Sequence, residues 1–138
     1  MAKKGKIPWA LEKRTLLYDR SDTEHQYWGD LLFDEGRYVD ALEFYLMGSV
    51  VSGIEKIKRL AIEEGDYYLL AKIAEKFPDK VEIEDWRATA YAAMRKGKFA
   101  NAVWAYGRCG EKSLKRMAAE KAGIEIEEEE TEEEKKEV

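Results

Sequence analysis

Chemistry in this chain has few residues to work with. His25 is the single histidine and Cys109 the single cysteine. A zinc site built on imidazole or thiolate needs several such ligands, and none can be assembled. A serine triad would have to draw on His25, with no Gly-x-Ser-x-Gly elbow to present the nucleophile. His25 reads as a surface or packing residue in the first turn of a helix. Cys109 closes an apolar helix face and reads as a small buried hydrophobe, with a reactive thiol as the other reading. Neither a Walker loop nor Gly-x-Gly-x-x-Gly is present. Gly107-Arg108-Cys109-Gly110 has the outline of an RNA-binding loop whose module requires strands.

Two groups of charged side chains remain. The carboxylates Glu63-Glu64 and Glu82-Ile83-Glu84-Asp85 have the chemistry of a general acid and base. They fall at helix ends, however, and negative charge opening a helix is favoured by the macrodipole. Arg87, Tyr91 and Arg95 are spaced four apart, which puts them on one stripe of one helix face. Two guanidiniums flanking a phenol suit a carboxylate-bearing peptide, held by paired hydrogen bonds and stacking. The alternative is a core tyrosine with both arginines solvated or paired to Glu84 or Asp85. No catalytic residue, cofactor or metal is expected, and the chain reads as a non-enzyme.

The composition sets what can position that stripe. With 138 residues, 45% apolar and 12% aromatic, there is material for one domain with a sizeable core. Charged residues make up 38% while Asn101 and Gln26 are the only amide side chains, a balance expected of a protein from a hot environment. No apolar run approaches the roughly 18 residues that span a bilayer. Lys3, Lys4 and Lys6 are followed by no apolar stretch, so no secretory leader is expected, and a lone cysteine fits a reducing cytoplasm. The formal charge of -5 is unevenly spread. Lys3, Lys4, Lys6, Lys13 and Arg14 make residues 1–14 basic, while nine Glu against Lys135 and Lys136 make residues 125–138 acidic. The near-neutral body argues against a dedicated nucleic-acid binder. The expected organisation is a basic arm with a short helix at 1–20, a helical domain at 21–122 and a disordered acidic tail at 123–138.

Within the body, apolar residues recur at three- and four-residue spacing with no alternating stretch. The pattern predicts helices at 22–35, 38–50, 53–64, 67–77, 83–96, 99–109 and 111–122. Ser21-Asp22-Thr23-Glu24 and Ser52-Gly53-Ile54-Glu55 are capping-box patterns, and Asp79-Lys80-Val81-Glu82 is an Asp variant. Gly36, Gly65, Gly97 and Gly123 mark the stops. Short loops predict antiparallel neighbours.

An internal repeat emerges. Gly36-Arg37-Tyr38-Val39-Asp40-Ala41-Leu42-Glu43-Phe44-Tyr45 aligns with Gly97-Lys98-Phe99-Ala100-Asn101-Ala102-Val103-Trp104-Ala105-Tyr106. Between them, Gly65-Asp66-Tyr67 keeps the glycine and the aromatic. The glycine closes each hairpin and the aromatic packs back across the turn. Ala41 or Ala102 lets the paired helices approach, and Tyr45 or Tyr106 fills the space against the next hairpin. One hairpin cannot bury its apolar face alone, so three must stack.

These residues resemble the tetratricopeptide repeat, with Trp28-Gly29, Leu32, Gly36, Tyr38, Ala41 and Tyr45 in the family's order and spacing. The first hairpin matches throughout and the third in its second half; glycine spacings of 29 and 32 are shorter than the family's 34, so a shortened or related helical-repeat fold stays open. The resemblance implies an all-α, right-handed stack of three helix-turn-helix hairpins, with a C-terminal capping helix, acting as a scaffold. It also implies that the first helix of each pair lines a concave groove holding a peptide or helix of a partner protein. The groove positions then fall on Gln26, Asp30 and Phe33, on Glu55, Arg59 and Ile62, and on Arg87, Tyr91, Met94 and Arg95. The lysine-asparagine clamp with which some members hold chaperone C-termini is missing, since Asp30, Arg59 and Tyr91 stand where its asparagines belong.

Both termini suit other roles as well. The basic arm suits a nucleic-acid-associated protein. Trp9, Leu16 and Leu17 suit pairing into a homo-oligomer. Residues 127–134 could fold back on Arg87, Arg95, Lys96 and Lys98 and occlude the groove, against a free solvated tail. Neither a membrane nor a small-molecule substrate is expected.

Overall fold

The computed structural model describes residues 22–126. The basic arm with Trp9, Leu16 and Leu17, the Ser21 cap and the tail at 127–134 lie outside the described residues. Among those described stand seven α-helices and no strand: α1 (Asp22–Asp34), α2 (Tyr38–Met47), α3 (Val51–Glu64), α4 (Tyr67–Lys76), α5 (Ile83–Arg95), α6 (Phe99–Arg108) and α7 (Lys112–Ala122), with a 3-10 turn at Pro78–Lys80. The chain is all-α over this range. Among the described residues no helix is long and apolar enough to cross a membrane.

The boundaries follow local chemistry. Gly36, Gly65, Gly97 and Gly123 all take positive φ at helix ends, as their stop positions require. Asp66 caps α4, its carboxylate accepting from the Leu69 amide at 3.2 Å. One start and one cap differ from the sequence reading, while α5 begins at Ile83 as expected. Helix α3 begins at Val51 behind Val50, which makes no side-chain cap, so Ser52 lies inside the first turn. Asp79 belongs to the 3-10 turn instead, and Glu82 opens α5, its amide donating to Asp85 Oδ2 at 2.8 Å. Pro78 explains the second difference: it ends α4 and forces a turn before the next helix starts.

The helices pair as α1/α2, α3/α4 and α5/α6, with α7 against α6, and among the described residues the substantial contacts between helices join only those one or two helices apart in the chain. Successive first helices touch, α1 to α3 and α3 to α5, as do successive second helices. The close approaches rest on glycine and alanine. The Tyr45 ring, fully buried, lies where side chains of Gly29 and Gly53 would be. One core cluster is built around Leu32, Phe44, Tyr45, Ile57 and Leu70. A second, alanine-rich cluster holds Ala90, Ala93, Ala102, Val103 and Tyr106. Tyr67 and Cys109 pack against both.

Candidate functional site: the exposed face of the first helices

Helices α1, α3 and α5 bury one stripe and leave another open. On α5 the buried stripe is Trp86, Thr89, Ala90 and Ala93, and Tyr91 on the other side is 62% exposed. The Arg95 guanidinium lies over the Tyr91 ring, 5.1 Å from its centroid, within cation–π range. Tyr91 is therefore no core residue, and with Arg95 it forms the open part of the anticipated stripe. Met94 is half-buried against the alanine-rich cluster.

Arg87 is engaged differently. It donates to the Glu84 carboxylate, and its second nitrogen reaches Glu111 Oε1, at the start of α7, at 3.3 Å. The Glu84 carboxylate raises the guanidinium pKa further. Arg87 thus joins α5 to α7, and the receptor chemistry of the stripe falls to Tyr91 and Arg95.

On α3, Glu55 and Arg59 are exposed, while Ile62 is half-buried against the first cluster. On α1, Gln26 is exposed. Asp30 accepts from the Tyr45 hydroxyl at 2.5 Å and faces Lys56 Nζ at 3.6 Å. Phe33 is half-buried, edge-on to Tyr38 with ring centroids 5.1 Å apart, and Lys56 Nζ stands 4.1 Å from its centroid. The structure thus gathers the expected residues into two groups. One is Asp30 and Phe33 beneath Lys56, and the other is Tyr91 with Arg95. Lys56 was not anticipated, because its partners lie a helix hairpin away in sequence.

The basic residues near the end of α5 are also occupied by this chain. Lys96 Nζ binds Glu64 Oε2 at 3.1 Å, and Lys98 Nζ binds the Glu64 carbonyl at 2.9 Å. The hydrogen bond from Lys96 lowers the Glu64 pKa. These lysines link α3 to the α5–α6 hairpin.

A further feature had no sequence signal of its own. Between the second helices α2 and α4 runs an open groove of about 590 Å³, floored by Leu42 and Leu46 and flanked by Val39, Met47 and Tyr68. Its charged lining alternates Glu43 and Glu75 with Lys72 and Lys76.

The single histidine and the single cysteine are both drawn into the packing. His25 is buried beneath Gly48 and the Phe44 ring. The Cys109 thiol points at the carbonyls of Ala105 and Tyr106, each at 3.5 Å. Burial raises its pKa, with Arg87 opposing. Fewer thiolates are then present at a given pH, and the thiolate is the nucleophile. Cys109 in the folded chain is expected to react with iodoacetamide at pH 8 several-fold more slowly than in the urea-unfolded chain. Equal rates would show an open thiol. Among the described residues no group of three or more His, Cys, Asp or Glu could hold a metal ion.

The described residues define a class, all-α helical hairpins whose first helices leave one face exposed. No protein-family model, curated protein or solved structure matches the chain.

Proposed function

We propose that this chain is a tetratricopeptide-like helical repeat, a non-enzymatic scaffold that holds a segment of another protein along the face of α1, α3 and α5. The observation that carries the reading is Tyr91, a large ring left 62% exposed with the Arg95 guanidinium over it. Aromatic and arginine side chains are the ones that dominate binding energy when a partner covers them. Two features support an open array. The substantial helix contacts join only near neighbours in the chain, the pattern of a stack of repeats. Asp30, Arg59 and Tyr91 also occupy equivalent positions when the three hairpins are aligned on Gly36, Gly65 and Gly97. Recognition would be capture by a preformed surface, with no bond made or broken.

The test uses random peptides displayed on phage and selected on the wild-type chain. The best binders are then measured against Tyr91→Ala and Arg95→Glu. Each variant is expected to weaken binding about tenfold, corresponding to about 1.4 kcal/mol, with unchanged thermal unfolding since both side chains are exposed. Selected peptides that bind both variants as well as wild type would overturn this site.

A further inference from the structure

The α1 end of this face is built from acid and ring. Helix α1 carries Asp22, Glu24, Asp30 and Asp34 and no lysine or arginine. The cation that sits over it, Lys56, comes from α3. Lys56 Nζ is 4.1 Å from the Phe33 centroid and 5.8 Å from the Tyr45 centroid, and 3.6 Å from Asp30 Oδ1. An ammonium over a ring face and beside a carboxylate gains from the ring quadrupole and from the opposite charge together.

The receptor stands without its occupant. Asp30 is fixed by the Tyr45 hydroxyl and Phe33 by its edge-on contact with Tyr38, so both come from the α1/α2 hairpin alone. Lys56 is attached only by a flexible four-carbon stem, and its side chain is 40% exposed, as Asp30 is at 48%. Exposed ion pairs and exposed cation–π contacts are individually weak. A second ammonium or guanidinium arriving on a bound segment can therefore take the same place while Lys56 swings into water.

We propose that Phe33 and Asp30 form a receptor for a lysine or arginine side chain of a bound protein segment, with Lys56 as the built-in occupant that the segment displaces. This rests on the reading of the face as a binding surface and gives its ligand a chemistry. A basic residue lies against α1, while the Tyr91–Arg95 end takes whatever follows.

The experiment uses the full chain and a capped five-residue peptide, Gly-Ser-Lys-Ser-Gly, with a Gln-for-Lys control. Binding is followed by the ring-current shift of the lysine ε-methylene protons in NMR. Lys56→Gln vacates the receptor and keeps a polar stem. It is expected to bind the lysine peptide at least about fivefold more tightly than wild type, with saturable upfield shifts absent for the control peptide. Adding Asp30→Asn or Phe33→Leu to Lys56→Gln is expected to abolish that gain. The proposal is overturned if Lys56→Gln shows no saturable shift, or if the shift survives both second changes. The outcome is separable from the phage test. A lysine receptor at α1 can stand while selected peptides ignore Tyr91, and loss of the receptor leaves the Tyr91–Arg95 result untouched.

Discussion

Gly65→Ala is expected to lower the free energy of unfolding by about 3–5 kcal/mol, about two to three times the loss from the same change at Gly97. Both glycines close a hairpin in the left-handed region, at φ 69 and φ 75, so both variants carry the cost of a Cβ there, about 1–2 kcal/mol. Their surroundings separate them. Around Gly97 a Cβ meets nothing within 4 Å, whereas at Gly65 it would lie 2.5 Å from the Ala93 Cα. That neighbour is hydrogen-bonded backbone in the last turn of α5 and cannot rotate aside. Either α3 and α5 separate or α5 distorts, and each opens the seam between the second and third hairpins. Chemical unfolding followed by helical circular dichroism decides it. Equal losses at the two positions would show that α3 and α5 are not this close. Since a domain of this size is held by some 5–15 kcal/mol in all, the variant would sit near the edge of folding.

The contrast between these glycines shows what was legible in the sequence. That both end helices could be read from periodicity and from glycine's tolerance of positive φ, which are local properties. That only one touches a neighbour's backbone depends on how hairpins stack, which no local pattern contains. Helix α3 shows the same limit. Ser52 carries a better capping side chain than Val50, yet α3 starts at Val51 and puts Gly53 against the Tyr45 ring. Packing overrode an interaction worth about 1 kcal/mol.

The candidate face divides in the same way. The spacing of Arg87, Tyr91 and Arg95 places them on one side of α5, and the sequence sufficed for that. Which of them stays open was decided partly nearby and partly from a distance. Glu84, three residues before Arg87, and Glu111, 24 residues after it, together take its guanidinium, and the Tyr91–Arg95 pair is left facing outward. The lysine over Phe33 and the groove between α2 and α4 have the same origin, because each joins side chains of different hairpins. Composition had a bearing on this, since a chain rich in both signs of charge fills its own seams with ion pairs. What remains exposed and unsaturated is then a small part of the charged surface.

Tyr45→Ala is expected to cost about 3–5 kcal/mol, the usual range for a large aromatic removed from a packed core. The fully buried ring occupies the side-chain space of Gly29 on α1 and Gly53 on α3, so one residue of α2 fills the gap between two first helices. Gly53→Ala is expected to cost about 1–3 kcal/mol by overpacking the same spot. In the double variant the new methyl group enters space the ring has left. The combined loss should fall short of the sum by more than about 0.5 kcal/mol, the coupling expected of residues in contact. Strict additivity would remove Tyr45 from between the helices. Tyr45→Phe keeps the ring and loses the hydrogen bond to Asp30, for about 1 kcal/mol. It also isolates a pH effect. Burial, and then the Asp30 carboxylate, raise the Tyr45 pKa well above the ordinary 10.0. The unfolded chain therefore loses this proton first. The hydroxyl's contribution is whole below pH 10 and declines as pH rises above it. Tyr106, raised in the same direction mainly by burial, adds to the decline in both proteins. Wild type should therefore lose stability more steeply than Tyr45→Phe between pH 10 and 11, and parallel curves would show that Tyr45 ionises as freely folded as unfolded.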